Sequence, residues 1–258
     1  MKKAKLSLDA LTLPPSLIKM CEGVPLFDSS CSPEARVIYV ERDGGYFIKS
    51  APLGTLKNEA LLDEYFYRKG LSSAVVDYFS FDGRDYLVTE RIRGEDATHS
   101  LYLSEPSRLA TLMGEMLRTL HETDFSDCPV KDRMKNYFHT VRENYKSCAY
   151  DLSFGNFKNA DEAYRIAIEG EKILKNDTLI HGDFCLPNFL LDNWQFSGYI
   201  DLGNGGVGDR HVDLFWGAWT LNFNLKTDAY RDRFFDAYGR DKIDKDALLA
   251  VSAAEVFG

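Results

Sequence analysis

The sequence predicts an α+β chain in two parts: a small antiparallel sheet carrying one helix, then a mostly helical remainder. Three observations predict it. Residues 35–50 and 74–90 each read as two strands around a Gly-containing turn. One amphipathic stretch separates these pairs. Beyond residue 95, apolar residues recur mainly at helical spacing. The 258 residues are 45% apolar and 13% aromatic, enough for one large domain or two small ones, and this excludes a disordered chain.

The elements follow in order. Ala35–Glu41 is β-branched and aromatic, Asp43-Gly44-Gly45 is a turn signal, and Tyr46–Ser50 returns as the second arm. A helix spans about residues 55–69, with apolar Leu56, Leu61, Leu62, Tyr65 and Phe66 and Gly70 as its stop. Ala74–Phe79 and Asp85–Glu90 form a second hairpin around Asp82-Gly83. Residues 1–90 make the first lobe, 91–95 (Arg91-Ile92-Arg93-Gly94-Glu95) a polar linker or hinge, and 96–258 the second lobe. There, Leu109, Leu112, Met113, Met116, Leu117 and Leu120 mark the core face of a helix at 107–122. Further helices are expected near 131–148, 159–174, 210–224, 227–238 and 244–254. A β-rich island (Thr178–His181, Phe189–Leu191, Gly198–Asp201) interrupts them.

Charge and cysteine content narrow the function. The net charge is −9, with most of the acidic excess in residues 91–258. This disfavours a nucleic-acid partner and makes the second part the better host for a cationic ligand. Five widely spaced cysteines, Cys21, Cys31, Cys128, Cys148 and Cys185, suggest neither a disulfide framework nor a zinc site. No apolar run approaches the ~18 residues of a membrane helix. A soluble, cytoplasmic monomer with no membrane partner is expected.

The chemistry concentrates in His181-Gly182-Asp183-Phe184-Cys185-Leu186-Pro187-Asn188 and Ile200-Asp201-Leu202-Gly203. Asp183 and Asn188 stand five apart, the interval between catalytic aspartate and metal-binding asparagine in the protein-kinase pattern H-R-D-x-x-x-x-N. Asp201-Leu202-Gly203 has the form of the kinase Asp-Phe-Gly. A nucleoside triphosphate needs its charge neutralised, and Mg²⁺ prefers hard oxygen ligands. Asp201 and Asn188 supply two, while Asp183 can orient an attacking hydroxyl and accept its proton. Lys49 ends a strand like the Val-Ala-Ile-Lys lysine, and Glu59 lies ten residues on, so an ion pair between them would aim the ammonium at the phosphates. No Gly-x-Gly-x-x-Gly is present; Cys31-Ser32-Pro33-Glu34-Ala35 is the expected phosphate loop, with Ser32 as its hydroxyl donor.

These segments, with Gly208–Leu214, Leu117–His121 and Asp127–Arg133, resemble the aminoglycoside phosphotransferases over essentially the whole chain. The resemblance is nearest to the 3′-O-phosphotransferases of kanamycin-type antibiotics. It implies a bilobal, protein-kinase-like fold, ATP or GTP as donor, Mg²⁺, and transfer to a hydroxyl of a cationic small-molecule acceptor. It implies Asp183 as the catalytic residue, Asn188 and Asp201 as metal ligands and Lys49 as phosphate contact. Thr89-Glu90-Arg91 becomes the hinge whose backbone meets the purine.

For the acceptor, the resemblance points to the chain end, Glu255-Val256-Phe257-Gly258, with Glu255 and Phe257 forming part of the wall. Asp151 and Asp161 flank an acid-poor insert as further candidate contacts. The chain departs from the family pattern at Ala254, where an acid is usual. Asn204 stands where an arginine commonly follows Asp-x-Gly, and Trp219–Asn224 lacks an expected glutamate. Two other readings stay open: a kinase of a choline-, homoserine- or sugar-like alcohol, and a nucleotide-binding regulator without catalysis. A protein kinase is disfavoured, because only 57 residues follow Asp201 and they contain no Ala-Pro-Glu.

Overall fold

A computed structural model describes residues 4–31 and 33–258; the expected phosphate-loop residue Ser32 lies outside them. The chain divides into two units. The first comprises the residues up to Asp96 together with Leu190–Gly203; the second comprises Ala97–Phe189 and Asn204–Gly258. The sequence reading cuts the chain once, near residue 95. The excursion of Leu190–Gly203 back to the first unit is a long-range strand pairing that local periodicity does not reveal.

The first unit is built on a six-stranded antiparallel sheet in the order β1-β2-β3-β4-β6-β5. Its strands are β1 (Ala4–Leu6), β2 (Leu26–Asp28), β3 (Arg36–Val40), β4 (Tyr46–Pro52), β5 (Val75–Phe81) and β6 (Arg84–Glu90). Both expected hairpins are present, with Ile38 opposite Ile48 and Phe79 opposite Tyr86. Two further strands and the helix α1 (Pro15–Cys21) precede them, so the unit exceeds the expected single helix. These short segments carry too few residues for a periodicity signal.

Alternation along β4 sorts the side chains. Ile48 joins Leu17, Cys21, Leu26, Ile38 and Val88 on one face. Ala51 packs on the other with Leu56, Ala60 and Leu87, against α2 (Lys57–Arg68). Lys49, two residues before Ala51, therefore faces α2. Leu56 gives α2 no side-chain cap. The fully buried Asp85 of β6 substitutes, accepting the Gly54 N–H at 2.8 Å and the Leu56 N–H at 3.2 Å.

A second sheet of the same unit has the order β10-β9-β7, from β7 (Glu95–Asp96), β9 (Phe189–Asp192) and β10 (Gln195–Tyr199). Gly94 permits the approach, since a Cβ there would lie 2.2 Å from the Leu191 carbonyl oxygen. Glu95, expected in the linker, is thus strand-paired to Leu191.

The second unit is mostly helical: α3 (Ser100–Leu103), α4 (Pro106–His121), α5 (Arg133–Lys146), α6 (Ala160–Gly170), α7 (Arg210–Leu225), α8 (Arg231–Tyr238) and α9 (Lys245–Glu255). The α4 stripe is core packing, with Leu109, Met113, Leu117 and Leu120 fully buried. A separate core joins Phe138, Val141, Ala163 and Ala167 to Val251 and Phe257. β8 (Thr178–Ile180) and β11 (Gly206–Gly208) pair antiparallel, with Ile180 opposite Gly206. That pairing brings the segment before Asp183 beside the segment after Asn204.

Candidate active site

In the first unit, the Lys49–Glu59 ion pair is present. The Lys49 ammonium donates to both Glu59 oxygens at 2.8 Å and to Asp201 Oδ1 at 2.7 Å. Burial disfavours the charged ammonium, but the Glu59 and Asp201 carboxylates outweigh it and hold Lys49 above its ordinary pKa. Asp63 lies one turn along α2 from Glu59. Burial first, then the Glu59 charge, pushes its carboxyl well above the usual range.

Asp201 follows β10 with φ of +60°, a left-handed conformation that is costly for a residue with a Cβ. Its side chain is 53% exposed, so one carboxylate oxygen is engaged by Lys49 while the group stays open to a ligand.

At the expected hinge, Thr89-Glu90-Arg91, two backbone donors are already engaged. Glu90 donates its N–H to Ala74 O (3.0 Å) and Arg91 donates its N–H to Gly45 O (2.9 Å). Thr89 lies inside the sheet, opposite both Phe47 and Val75. The N–H groups of residues 90 and 91 are spent on the strand end. The Arg91 guanidinium lies 6.0 Å from the Tyr39 ring centre.

In the second unit, Asp183 is half-buried and Asn188 is tied to it. The Asn188 amide donates to the Asp183 carboxylate at 2.8 Å and to its backbone carbonyl at 3.0 Å. Both bonds use the NH₂ end, leaving the amide oxygen as the atom offered elsewhere. Asp213, fully buried, clamps the loop. Its two oxygens accept the His181 and Gly182 N–H groups, each at 2.7 Å, and His121 Nε2 lies 3.0 Å from one of them. The sequence reading missed this role, although Asp213 lies within the resembling segment.

Gly182 is required at its position. Its φ is +84°, and a Cβ would lie 1.9 Å from the Asn204 carbonyl oxygen. Asn204 is itself gripped by Arg133, whose Nε donates to its carbonyl at 2.7 Å and whose second nitrogen reaches its Oδ1 at 3.0 Å. A guanidinium from the head of α5 thus backs the loop that carries Asp183. Nothing in the local sequence around Arg133 signals this partner 71 residues away.

Glu255 is not an open carboxylate. It is 5% exposed, and the Tyr137 hydroxyl donates to it at 2.8 Å. Burial is the main cause that raises its pKa, to about 7. The Asp183 charge adds to the rise, while Tyr137, the Trp216 indole and Arg133 oppose it. Phe257 is a correction: its ring is fully buried in the core, 5.8 Å from Tyr145 and 6.0 Å from Tyr164. It anchors the chain end and does not line a wall. Asp151 is exposed and accepts the Ser153 N–H at 2.8 Å as a turn cap. Asp161, in the first turn of α6, accepts the Tyr145 hydroxyl at 2.8 Å. Both carboxylates serve local structure.

The oxygen donors suit Mg²⁺ better than a softer metal. Among the described residues no cluster of three or more His, Cys, Asp or Glu could hold a metal by itself. Asp201 and Asn188 each offer one hard oxygen. Each suits a cation that takes its remaining ligands from phosphates and water.

A profile of the phosphotransferase enzyme family matches residues 33–250. A probable aminoglycoside 3′-phosphotransferase of Lactococcus lactis subsp. lactis (strain IL1403) is 46% identical over 98% of each chain. An aminoglycoside 3′-phosphotransferase of Streptomyces fradiae is 30% identical over 78% of this chain and 79% of its own. The crystal structure of an aminoglycoside 3′-phosphotransferase of type VIII has the same fold, with a TM-score of 0.70 over 89% of this chain and 92% of its own at 24% identity. An ADP and streptomycin complex from Streptomyces rimosus also shares it, at 20% identity and a TM-score of 0.69, over 85% of this chain and 90% of its own. The chain belongs to the phosphotransferase enzyme family, among the aminoglycoside phosphotransferases.

Proposed function

We propose that the protein transfers the γ-phosphate of ATP or GTP to a hydroxyl, the 3′-hydroxyl by analogy with its relatives, of an aminoglycoside. The observation that carries this reading is the pairing of Asp183 with Asn188 on a clamped loop, in a chain with 46% identity to a probable aminoglycoside 3′-phosphotransferase. Lys49, fixed by Glu59, contacts the phosphates. Asp201 and Asn188 would each donate an oxygen to Mg²⁺, which would supply charge neutralisation to the phosphates.

The reaction is direct transfer. The acceptor oxygen forms a bond to the γ-phosphorus as the bond to the β–γ bridging oxygen breaks, and the nucleoside diphosphate leaves. The acceptor proton goes to the Asp183 carboxylate. Because the transition state is loose, orientation by Asp183 contributes more than its basicity. The purine meets carbonyl groups at the end of β6, since the Glu90 and Arg91 N–H groups are already bonded. Asn188, by donating to Asp183, holds that carboxylate in one rotamer and its own amide oxygen in one direction. Chemistry of this kind suits a cytoplasmic enzyme with access to nucleotides. No helix of the described residues is long and apolar enough to cross a membrane.

The test is nucleoside diphosphate release from ATP and from GTP over a panel of aminoglycosides and simple amino alcohols. Turnover with aminoglycosides alone is expected. Turnover confined to choline- or homoserine-like alcohols would replace the acceptor assignment, and silence with every acceptor would overturn the reading.

A further inference from the structure

The catalytic loop is held by a hydrogen-bond series that runs into the helical core of the second unit. Asp213 accepts the His181 and Gly182 N–H groups, and the Asp183 N–H is donated to His181 Nδ1 at 3.3 Å. Three consecutive backbone donors are thus directed by Asp213 and the His181 ring. Behind Asp213 lies His121, the last residue of α4, with Nε2 3.0 Å from the carboxylate. Behind His121 lies Tyr238, the last residue of α8, whose hydroxyl is 2.9 Å from Nδ1. Arg210, the first residue of α7, donates to that hydroxyl at 3.4 Å and to the Thr178 hydroxyl at 3.2 Å.

Packing puts Tyr238 there. Gly114 in the middle of α4 admits α8: a Cβ would lie 2.5 Å from the Phe234 carbonyl oxygen and 2.8 Å from the Tyr238 nitrogen. Gly239, with φ of +116°, ends α8 immediately after the ring. The Tyr238 ring is fully buried and meets the His121 imidazole edge-on, with 5.5 Å between centres at 81°. Among the described residues its hydroxyl bonds to His121 and Arg210 alone, so any effect it has on the catalytic loop passes through His121.

Chemistry fixes the order of donors. Asp213 faces His121 with a carboxylate oxygen that already accepts the His181 N–H, so Nε2 must donate. Burial lowers the His121 pKa against the pull of Asp213, which keeps the ring neutral. A neutral imidazole with its proton on Nε2 has a bare Nδ1, which must accept. The Tyr238 hydroxyl is the donor it meets. That hydroxyl oxygen accepts from Arg210, and burial pushes its pKa up to about 12, so it keeps the proton it donates. The opposite tautomer fails twice: a lone pair on Nε2 would face the Asp213 carboxylate, and the Tyr238 proton would lose its acceptor. The series therefore runs one way, from Arg210 through Tyr238 and His121 to Asp213.

We propose that Tyr238 is a positioning residue for phosphoryl transfer: its hydroxyl anchors His121 with Nε2–H on Asp213, and Asp213 sets the backbone that presents Asp183. With one ring nitrogen on Tyr238 and the other on Asp213, the imidazole is held at both ends and cannot turn. Without the hydroxyl, Nδ1 is buried and unpaired, the ring gains freedom, and the carboxylate it steadies gains freedom with it. The inference rests on the transfer reading above. It assigns to the reaction a residue of α8, a helix that supplies no group to the catalytic loop itself.

The test combines nitrogen NMR of His121 with kinetics and calorimetry. In wild type, His121 should show a bare Nδ1 and a protonated Nε2. Tyr238→Phe removes one oxygen and keeps the ring. It is expected to lower kcat with kanamycin about tenfold, with the calorimetric Kd of MgATP and of kanamycin unchanged. The His121 Nε2–H and the Gly182 N–H should exchange with solvent about tenfold faster than in wild type. His121→Phe should lower kcat at least as much, and adding Tyr238→Phe to it should change kcat less than about twofold. His121→Gln, whose amide nitrogen reaches the Nε2 position, should recover most of the loss seen in His121→Phe.

A proton on Nδ1 in place of Nε2 would overturn the proposal, as would an unchanged kcat in Tyr238→Phe, an equal loss of MgATP affinity, or additive losses in the double variant. The wild-type spectrum decides the order of donors without any substitution, so a variant that fails to fold leaves the test in force. Failure of the transfer reading is a separate result. If wild type phosphorylates no acceptor, exchange of the Gly182 N–H still decides: acceleration in Tyr238→Phe upholds the hold on the loop, and equal rates overturn it.

Discussion

The two units hold their carboxylates in opposite ways. In the first, Glu59 and Asp201 share the Lys49 ammonium at 2.7–2.8 Å, so charge meets charge. In the second, Glu255 receives a neutral hydroxyl from Tyr137, with Arg133 acting only as a more distant charge. The difference teaches what each arrangement is suited to. A cation held by two carboxylates stays charged at every working pH, as a phosphate contact requires. A carboxyl held by neutral donors, raised to about 7, changes charge near neutrality and responds to a cationic ligand.

Among the substitutions that probe this contrast, Lys49→Ala has the largest expected effect. Lys49→Ala should lower kcat/KM for the nucleotide by about 100-fold or more. It should also destabilise the chain by about 3 kcal/mol, because it leaves Glu59 buried without its cation. Combining it with Glu59→Gln should recover most of the stability but none of the nucleotide affinity, measured by denaturation and calorimetry. Recovery of both would mean that the pair is structural only.

Asp213 tests whether the second unit relies on charge at all. Asp213→Asn keeps the shape but turns one of its two acceptors into a donor facing the His181 or Gly182 N–H. A loss of roughly 2–3 kcal/mol in stability is expected, with kcat reduced about tenfold or more. Native stability with reduced kcat would show that the clamp orients the loop without holding the fold.

Arg133 and Asn204 should behave as a unit. Arg133→Lys keeps the charge but loses the two-point grip, and kcat should fall about tenfold. Asn204→Ala should remove little more from that background, because in a double-mutant cycle the two substitutions disrupt one interaction. Additive losses would separate them.

The smallest effect on turnover, and the sharpest on pH dependence, belongs to Glu255. Its pKa is raised in the folded chain, so its contribution to stability is complete below about pH 4.5 and is lost as pH rises through about 7. The amplitude is about 3 kcal/mol. Glu255→Gln should flatten the stability profile across that window, and acceptor binding by wild type near pH 6 should release a proton, read by calorimetry in buffers of different ionisation heat. A profile unchanged by Glu255→Gln would remove the residue from this role.

Much of this was legible in the sequence because it is local. The hairpins around Gly44 and Gly83, the α4 stripe, the Asp183–Asn188 interval and the Lys49–Glu59 pairing all lie within short stretches whose period or spacing has one physical meaning. The failures share a cause. The Asp85 cap on α2, the Asp213 clamp, the Arg133 grip on Asn204 and the return of Leu190–Gly203 to the first unit join residues far apart in the chain. Phe257 was named from the resemblance of the chain end, which says nothing of the Tyr145 and Tyr164 rings that enclose it.

The central claim is that Asp183 directs an acceptor hydroxyl at the γ-phosphate. The most direct measurement is γ-phosphate transfer to kanamycin in single-turnover mixtures of wild type and Asp183→Asn, with nucleotide affinity determined on the same preparations. The account predicts a rate at least 1,000-fold lower in Asp183→Asn with nucleotide affinity unchanged. Transfer within tenfold of wild type would contradict it.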